Sequence, residues 1–165
     1  MMNYNRLKSL FSNSIKEFAP EIANTFELWC DFDNHNPGTA LPTFDGGVTA
    51  EAVFEFYSPF PFFGEEIAMV VNVQENTATL AVIFGRFCTD PVRASKYAER
   101  FLHTPFATEW GIDPHFGKTS SLTLITTFSF ADEDALRHSL SARLKRLKED
   151  ELVNELRPFI HYFDC

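Results

Sequence analysis

Lysine and arginine are missing from a long stretch of this 165-residue chain. Residues 17–85 contain 11 acidic side chains and no basic one, whereas the rest of the chain carries 12 acidic and 14 basic side chains, and the net charge is -9. A negative field over nearly half of a chain repels anionic partners and attracts cationic ones. The charge distribution therefore disfavours binding to nucleic acid or to an anionic membrane, and it favours a basic protein or peptide as the partner.

Cysteines and long apolar runs are also scarce. The three cysteines, Cys30, Cys88 and Cys165, are an odd number at wide spacing and form no CxxC pair, so we interpret them as free thiols. The sequence contains no run of about 18 apolar residues and therefore predicts no membrane-spanning helix. Polar residues interrupt the N-terminus where a secretory signal needs an apolar core. We expect a cytoplasmic protein.

Apolar and aromatic residues are abundant. Hydrophobic residues make up 45% of the chain, and 19 residues are phenylalanine. A chain of this length can bury roughly 70% of the surface that its unfolded form exposes. We therefore expect one folded domain over residues 1–165.

Apolar spacing predicts the elements of the first half. Steps of three and four predict an amphipathic helix over 4–18. Segments rich in β-branched and aromatic residues at 48–57, 66–73 and 77–87 predict three strands of an antiparallel meander, with a short turn at 74–76. In the third strand, alternation predicts packing mainly on one side. The two alternating sets are Ala78, Leu80, Val82 and Phe84 on the packed side, and Thr77, Thr79 and Ala81 opposite.

The second half predicts two helices and one more strand. Asp90 and Pro91 suit the N-cap and first position of a helix. Its apolar face comprises Ala94, Tyr97, Ala98, Phe101 and Leu102. The composition of residues 103–119 predicts a loop that is held in place by its aromatic side chains. Apolar and polar residues alternate over 120–130, which predicts a strand. The acidic residues at 132–134 suit the first turn of a helix. Its apolar stripe comprises Leu136, Leu140, Leu144 and Leu147.

Three segments are less regular. Residues 20–32 fit either a second helix, which we favour, or a strand, and residues 33–47 have the composition of a long loop. The apolar spacing at the end of the chain predicts a further helix that kinks or stops at Pro158. The element order predicts an α+β fold, in which helices pack on one face of an antiparallel β-meander and the C-terminus is helical.

Two groups of residues have metal-binding or catalytic potential. Cys30, Asp31, Asp33 and His35 lie close together, but an EF-hand loop that starts at Asp31 would need glycine at its sixth position, where this chain has Asn36. His103 and His115 bracket a loop that contains Glu109 and Asp113, but no recognisable nucleophile accompanies them. We therefore predict no metal, no cofactor and no catalytic residue.

A basic cluster lies near the end of the last clear helix. Arg143, Lys145, Arg146 and Lys148 precede an acidic run, which comprises Glu149, Asp150 and Glu151. Basic residues near acidic ones on a helix favour a salt-bridged surface over a phosphate-binding site.

The connection SPFPFFG between the first two strands is mostly aromatic. Its prolines prevent regular strand pairing. The rings either cap the core or form an apolar contact patch beside two glutamates. The contact patch, together with the acidic residues of the flanking strands, gives the candidate partner-binding residues. They are Glu51, Glu55, Tyr57, Phe60, Phe62, Phe63, Glu65 and Glu66.

The order of elements resembles the fold shared by class I type III secretion chaperones and YbjN-like domains. The resemblance rests on the meander from Val48 to Phe87, the helix from Pro91 to His103, and the strand that runs directly into a helix in LTLITTFSFADEDALRHSLSARL. It covers about two thirds of the chain. It implies a small acidic protein, possible homodimerisation and a chaperone-like role.

Three functional hypotheses follow. The first is a non-catalytic, chaperone-like module that binds a basic or apolar protein segment. The second is an immunity protein or antitoxin whose acidic face occludes the basic groove of a nuclease toxin, since complementary charge speeds encounter. The third is an enzyme whose site is unrecognised.

Elemental analysis of protein purified without chelator should find no stoichiometric zinc or calcium, because the ligand cluster near Cys30 has the wrong spacing for known loops. Stoichiometric metal would contradict this prediction. Asp31, Asp33 and His35 would then be the first ligands to substitute.

Overall fold

The computed structural model describes residues 2–18, 46–56, 65–84, 96, 99–112 and 122–147. Helix α1 (Tyr4–Phe18) is followed by strands β1 (Val48–Phe56), β2 (Glu65–Gln74) and β3 (Thr77–Phe84). A 3-10 turn (Pro105–Thr108) precedes the short strand β4 (Gly111–Ile112), and strand β5 (Leu122–Ser129) leads into helix α2 (Glu133–Leu147). The predicted segment at 20–32, the predicted C-terminal helix around Pro158 and the predicted loop up to residue 45 lie outside the described residues.

The five strands form one antiparallel sheet in the order β1-β2-β3-β5-β4. Strands β1 to β3 pair consecutively, as the predicted meander requires. Strand β5 pairs with β3 over the whole length of both strands. An antiparallel sheet combined with helices confirms the predicted α+β class.

Both helices pack on one face of this sheet. The register aligns Ala50 with Val71, and Val71 with Leu80, and these three residues are buried together with the apolar residues of the helices. The core residues that α1 and α2 contribute are Leu7, Leu10, Phe11, Ile15, Leu136, Leu140 and Leu144. Each fully buried side chain of this size contributes about 1.5–3 kcal/mol relative to an exposed one. The predicted stripes of α1 and α2 are therefore confirmed as far as Leu144.

Local hydrogen bonds fix where α2 begins. The carboxylate of Asp132 accepts a hydrogen bond from the backbone N–H of Ala135 at 2.8 Å, which is the geometry of an N-cap. Glu133 and Asp134 then lie in the first turn, where their negative charge complements the helix dipole. These contacts explain why the helix starts directly after β5.

Two glycines shape the start of β1. Gly46 and Gly47 have φ angles of 84° and 77°, in the left-handed region that favours glycine. A Cβ atom at Gly47 would lie 2.5 Å from the carbonyl oxygen of Val73, so only glycine fits against β2 there. The buried side chain of Asn72 donates hydrogen bonds to the Gly46 carbonyl and to Thr49 Oγ1, at 3.2 and 2.7 Å.

The predicted burial of Leu102 is wrong. Phe101 is only 2% exposed, whereas Leu102 is 68% exposed. The helical hydrogen bonds end here, because the N–H of Thr104 bonds to the carbonyl of Phe101 and the chain then enters the 3-10 turn at Pro105. Leu102 therefore lies in the last helical position, turned away from the core that holds Phe101. Ala94, Tyr97 and Ala98 lie outside the described residues.

The structure corrects one other expectation and refines a second. The predicted loop at 103–119 contains a 3-10 turn and strand β4, and β4 pairs with β5 through Gly111 and Ile112. Its expected aromatic anchoring is confirmed for Phe106 and Trp110, which are both buried. Strand β3 is packed mainly on one side, as predicted, with Ala78, Leu80 and Val82 buried toward the helices. Ala81 is the exception, because it is buried on the opposite face, next to Val70 in the register.

Replacing Phe101 with alanine should lower the free energy of unfolding by about 3–5 kcal/mol, because a fully buried aromatic side chain is removed. Leu102→Ala is the matched control and should change it by less than about 0.5 kcal/mol, since Leu102 is exposed. Urea unfolding measures both. A loss below about 1 kcal/mol for Phe101→Ala would show that the helix that ends at Leu102 is not packed into the core.

Candidate partner-binding surface

The strand register brings three of the predicted glutamates together at one end of the β1–β2 pair and places the fourth, Glu51, near the middle of β1. Glu55 lies directly opposite Glu66, and Phe56 lies opposite Glu65. Glu51 lies four residues before Glu55 on the same strand, opposite Val70. We call these four residues, Glu51, Glu55, Glu65 and Glu66, the acidic hairpin end.

The pairing of Glu55 with Glu66 carries an electrostatic cost. Like charges directly opposite each other in an antiparallel pair are destabilising, whereas favourable cross-strand pairs contribute about 0.2–1 kcal/mol. All strand neighbours in the meander come from residues 48–84, and this part of the chain has no lysine or arginine. The meander itself therefore offers no cation to offset the repulsion.

The acidic hairpin end lies at an edge of the sheet, because β1 is the outermost strand in the described strand order. The sheet face opposite the helices is covered near it, since Val70 is only 2% exposed. The same face is open at the far end of the strands, where Thr77 and Thr127 are exposed. The acidic residues are therefore placed at a strand edge and a hairpin end rather than across an open face.

A competing interpretation of these glutamates is protection of the edge. Charged residues on edge strands prevent pairing with the edge of another sheet. Glu51 and Glu55 on β1 would serve that purpose without any partner. The two interpretations differ over Glu66. Protection of the edge does not need a like-charged residue on β2 opposite Glu55, whereas a surface that attracts a basic partner gains from one.

The aromatic part of the predicted surface lies outside the described residues. Tyr57, Phe60, Phe62 and Phe63 all fall in the connection between β1 and β2. The same holds for the predicted ligand cluster of Cys30, Asp31, Asp33 and His35, and for Asp113 and His115. In the described ranges, no group of three or more His, Cys, Asp or Glu side chains is arranged to hold a metal ion.

A cleft of about 770 Å³ separates the N-terminal half of α1 from the first turns of α2. Four of its five charged side chains pair with one another: Arg6 with Glu133, and Arg137 with Asp134 at 3.6 Å, whereas Asp132 caps α2. Both ion pairs are solvent-exposed, and such pairs contribute only about 0–1 kcal/mol each. The cleft therefore has mixed charge and lacks the one-sided field that distinguishes the acidic hairpin end.

Two arginines on α2 form a second charged arrangement, which the sequence did not predict. The guanidinium of Arg143 lies 4.1 Å from the ring centre of Phe128, and its Nε donates a hydrogen bond to Thr126 Oγ1 at 3.1 Å. Burial lowers the pKa of Arg143, and the negative charge of Glu109 partly opposes this effect. Arg143 is therefore a partly desolvated cation that is stacked on an aromatic ring of β5.

Arg146 lies one turn further along α2. Its guanidinium is 4.6 Å from the ring centre of Phe106, and its Nε donates to a carboxylate oxygen of Glu109 at 3.2 Å. The basic cluster was expected to form a salt-bridged helix surface. Arg146 does form an ion pair, with Glu109, 37 positions earlier, and Arg143 contacts the sheet. The acidic run at 149–151 lies outside the described residues. The 3.6-residue period could have identified the shared face of Arg143 and Arg146, but not their aromatic partners.

Comparison of the chain with known protein families, with curated proteins and with solved structures found no match. Among the helices that the structure describes, none combines the length and apolar character needed to cross a membrane.

Replacing Glu55 with glutamine should raise the free energy of unfolding by about 0.2–1 kcal/mol at low salt, because it removes the repulsion across the β1–β2 pair. Glu75→Gln, in the turn between β2 and β3, removes the same charge without a facing glutamate and should have a smaller effect. Thermal and urea unfolding measure the difference. Equal effects of the two substitutions would show that Glu55 and Glu66 do not repel each other.

Proposed function

We propose that this chain is a non-catalytic protein-binding module, and that its acidic hairpin end binds a basic segment of a protein partner. The observation that carries the proposal is the pairing of Glu55 with Glu66 inside a stretch without lysine or arginine. An electrostatic cost that nothing in the meander offsets is relieved when a cationic partner binds. Protection of the edge alone would not require this arrangement.

Electrostatics also predicts how such a partner would bind. A field of one sign raises the rate of encounter with a partner of opposite sign more than it raises the final affinity. The neighbouring connection, with its four aromatic residues at positions 57, 60, 62 and 63, would supply apolar contacts to the bound segment. The expected partner segment is therefore both basic and apolar.

A chaperone-like role is the more specific form of this proposal. It draws on the resemblance in element order to type III secretion chaperones and YbjN-like domains, and it includes possible homodimerisation. An immunity protein that neutralises a nuclease-type toxin is the alternative, and the acidic stretch at 17–85 favours it equally. The neighbouring gene distinguishes them, because a secreted effector supports the first and a toxin supports the second.

The double substitution Glu65→Gln and Glu66→Gln should slow the association of a fluorescent peptide of alternating lysine and leucine, measured by stopped flow. We expect a loss of several-fold at low salt, because two of the four carboxylates are removed. The difference from the unmodified protein should shrink at physiological ionic strength, where the Debye length is about 8 Å.

A matched control removes two exposed acids elsewhere, by Glu99→Gln and Asp134→Asn. This control has the same net charge as the test variant and should associate at nearly the original rate if position decides the effect. Both variants should melt within a few degrees of the original protein. Equal slowing by the two double variants, or no slowing by either, would refute the docking role of the acidic hairpin end.

A further inference from the structure

The two stacked arginines of α2 hold their guanidinium groups in fixed positions. Arg143 is fixed by the ring of Phe128 and by the hydroxyl of Thr126, both of which are buried. A guanidinium on an aromatic face keeps its edge available for planar hydrogen bonding, and its charge is not neutralised by the ring. Such an arrangement pre-organises a cation for a ligand at little further entropic cost.

Arg143 lacks a carboxylate partner among the residues that the structure describes. Its described hydrogen bonds go to Thr126 Oγ1 and, at 3.5 Å, to the carbonyl of Ser139, and both acceptors are neutral. A partly buried cation is stable when an anion compensates for its lost hydration. The neutral acceptors compensate only in part.

Glu109 supplies an anion close to this position. It bonds to Arg146 at 3.2 Å and lies near enough to Arg143 to act on it electrostatically. Its side chain is 50% exposed and follows the 3-10 turn at Pro105–Thr108, so water can replace it without disturbing the core. Exposed ion pairs of this kind are weak and exchange readily with other anions.

We propose that Arg143 and Arg146 form a binding site for a small oxyanion, a carboxylate or a phosphate, and that the side chain of Glu109 occupies this site when no ligand is bound. Two arginines at a spacing of three residues lie on the same side of a helix, so one ligand can reach both. Bidentate binding to guanidinium is common to carboxylate and phosphate.

The ligand is a small anion and not a polymer. A net charge of -9 repels a polyanion over its whole length, whereas a single oxyanion experiences mainly the nearest charges. This inference does not depend on the proposed function, because it concerns an anion on α2 and not a cation on the β1–β2 pair.

The test follows the Nε–H signals of the arginines by NMR while sodium phosphate, or in a second series sodium citrate, is added at constant ionic strength. We expect the Arg143 signal to shift and to saturate with at least one of the two anions. The series that saturates at lower concentration identifies the chemical class of the ligand. Saturation with neither anion would overturn the proposal.

Glu109→Gln removes a competing carboxylate and should tighten binding by about twofold to fivefold, in line with the weak ion pair that it breaks. Arg143→Lys keeps the positive charge but loses the planar guanidinium group that binds oxyanions through two hydrogen bonds. It should weaken binding by a similar factor. Lys145→Gln is the control, because Lys145 is an exposed cation on the same helix and should leave the affinity unchanged.

The Glu109→Gln variant decides the outcome even if Arg143→Lys fails to fold, because a gain in affinity requires a folded site. Circular dichroism checks the helical content of each variant. Anion binding that is unchanged or weaker in Glu109→Gln would overturn the proposal. So would a loss of affinity in Lys145→Gln that equals the loss in Arg143→Lys. Arg143 would then have only a packing role.

Discussion

Burial of two helices against one face of a single antiparallel sheet is the constraint on which the described fold depends. Leu7, Phe11 and Leu140 are completely buried with the strand residues that face them. Because side chains alternate along a strand, one buried face fixes the register of every strand in the sheet. That register assigns Glu51 and Glu55 to the positions that alternate with the core-facing ones.

The two charged arrangements of the molecule follow from this constraint in different ways. Glu55 and Glu66 are opposite each other because a slip of the register would also move the apolar residues of β1 out of the core. Packing therefore imposes their repulsion. Arg143 and Arg146 lie on the side of α2 that meets β5 and the 3-10 turn, and their guanidinium groups stack on the rings of Phe128 and Phe106 there. The fold thus places the acidic hairpin end at the β1 edge of the sheet. It places the two arginines beside β5 and the 3-10 turn.

Sequence patterns predicted the elements with strong periodicity and missed the features that depend on where an element ends. The helix at 4–18 was predicted to the residue and the three strands of the meander to within one to three residues, because amphipathic spacing and turn residues are local signals. Leu102 was misplaced because periodicity does not show that the helix stops at that residue. Strand β4 was missed because two residues carry no periodic pattern, and it forms only where β5 provides an edge.

The features of the candidate surfaces likewise divide into those that depend on the sequence alone and those that depend on the tertiary structure. The sequence by itself determined the α+β class, the apolar stripes of both helices and the absence of basic residues from 17–85, since these depend only on composition and on spacing along the chain. Only the tertiary structure decided that Glu55 faces Glu66, that Ala81 is buried on the second face, and that Arg146 reaches Glu109. These are contacts between residues 11 to 37 positions apart or between separate layers. Local spacing cannot specify them, because they form only when all the strands and helices bury their apolar faces together.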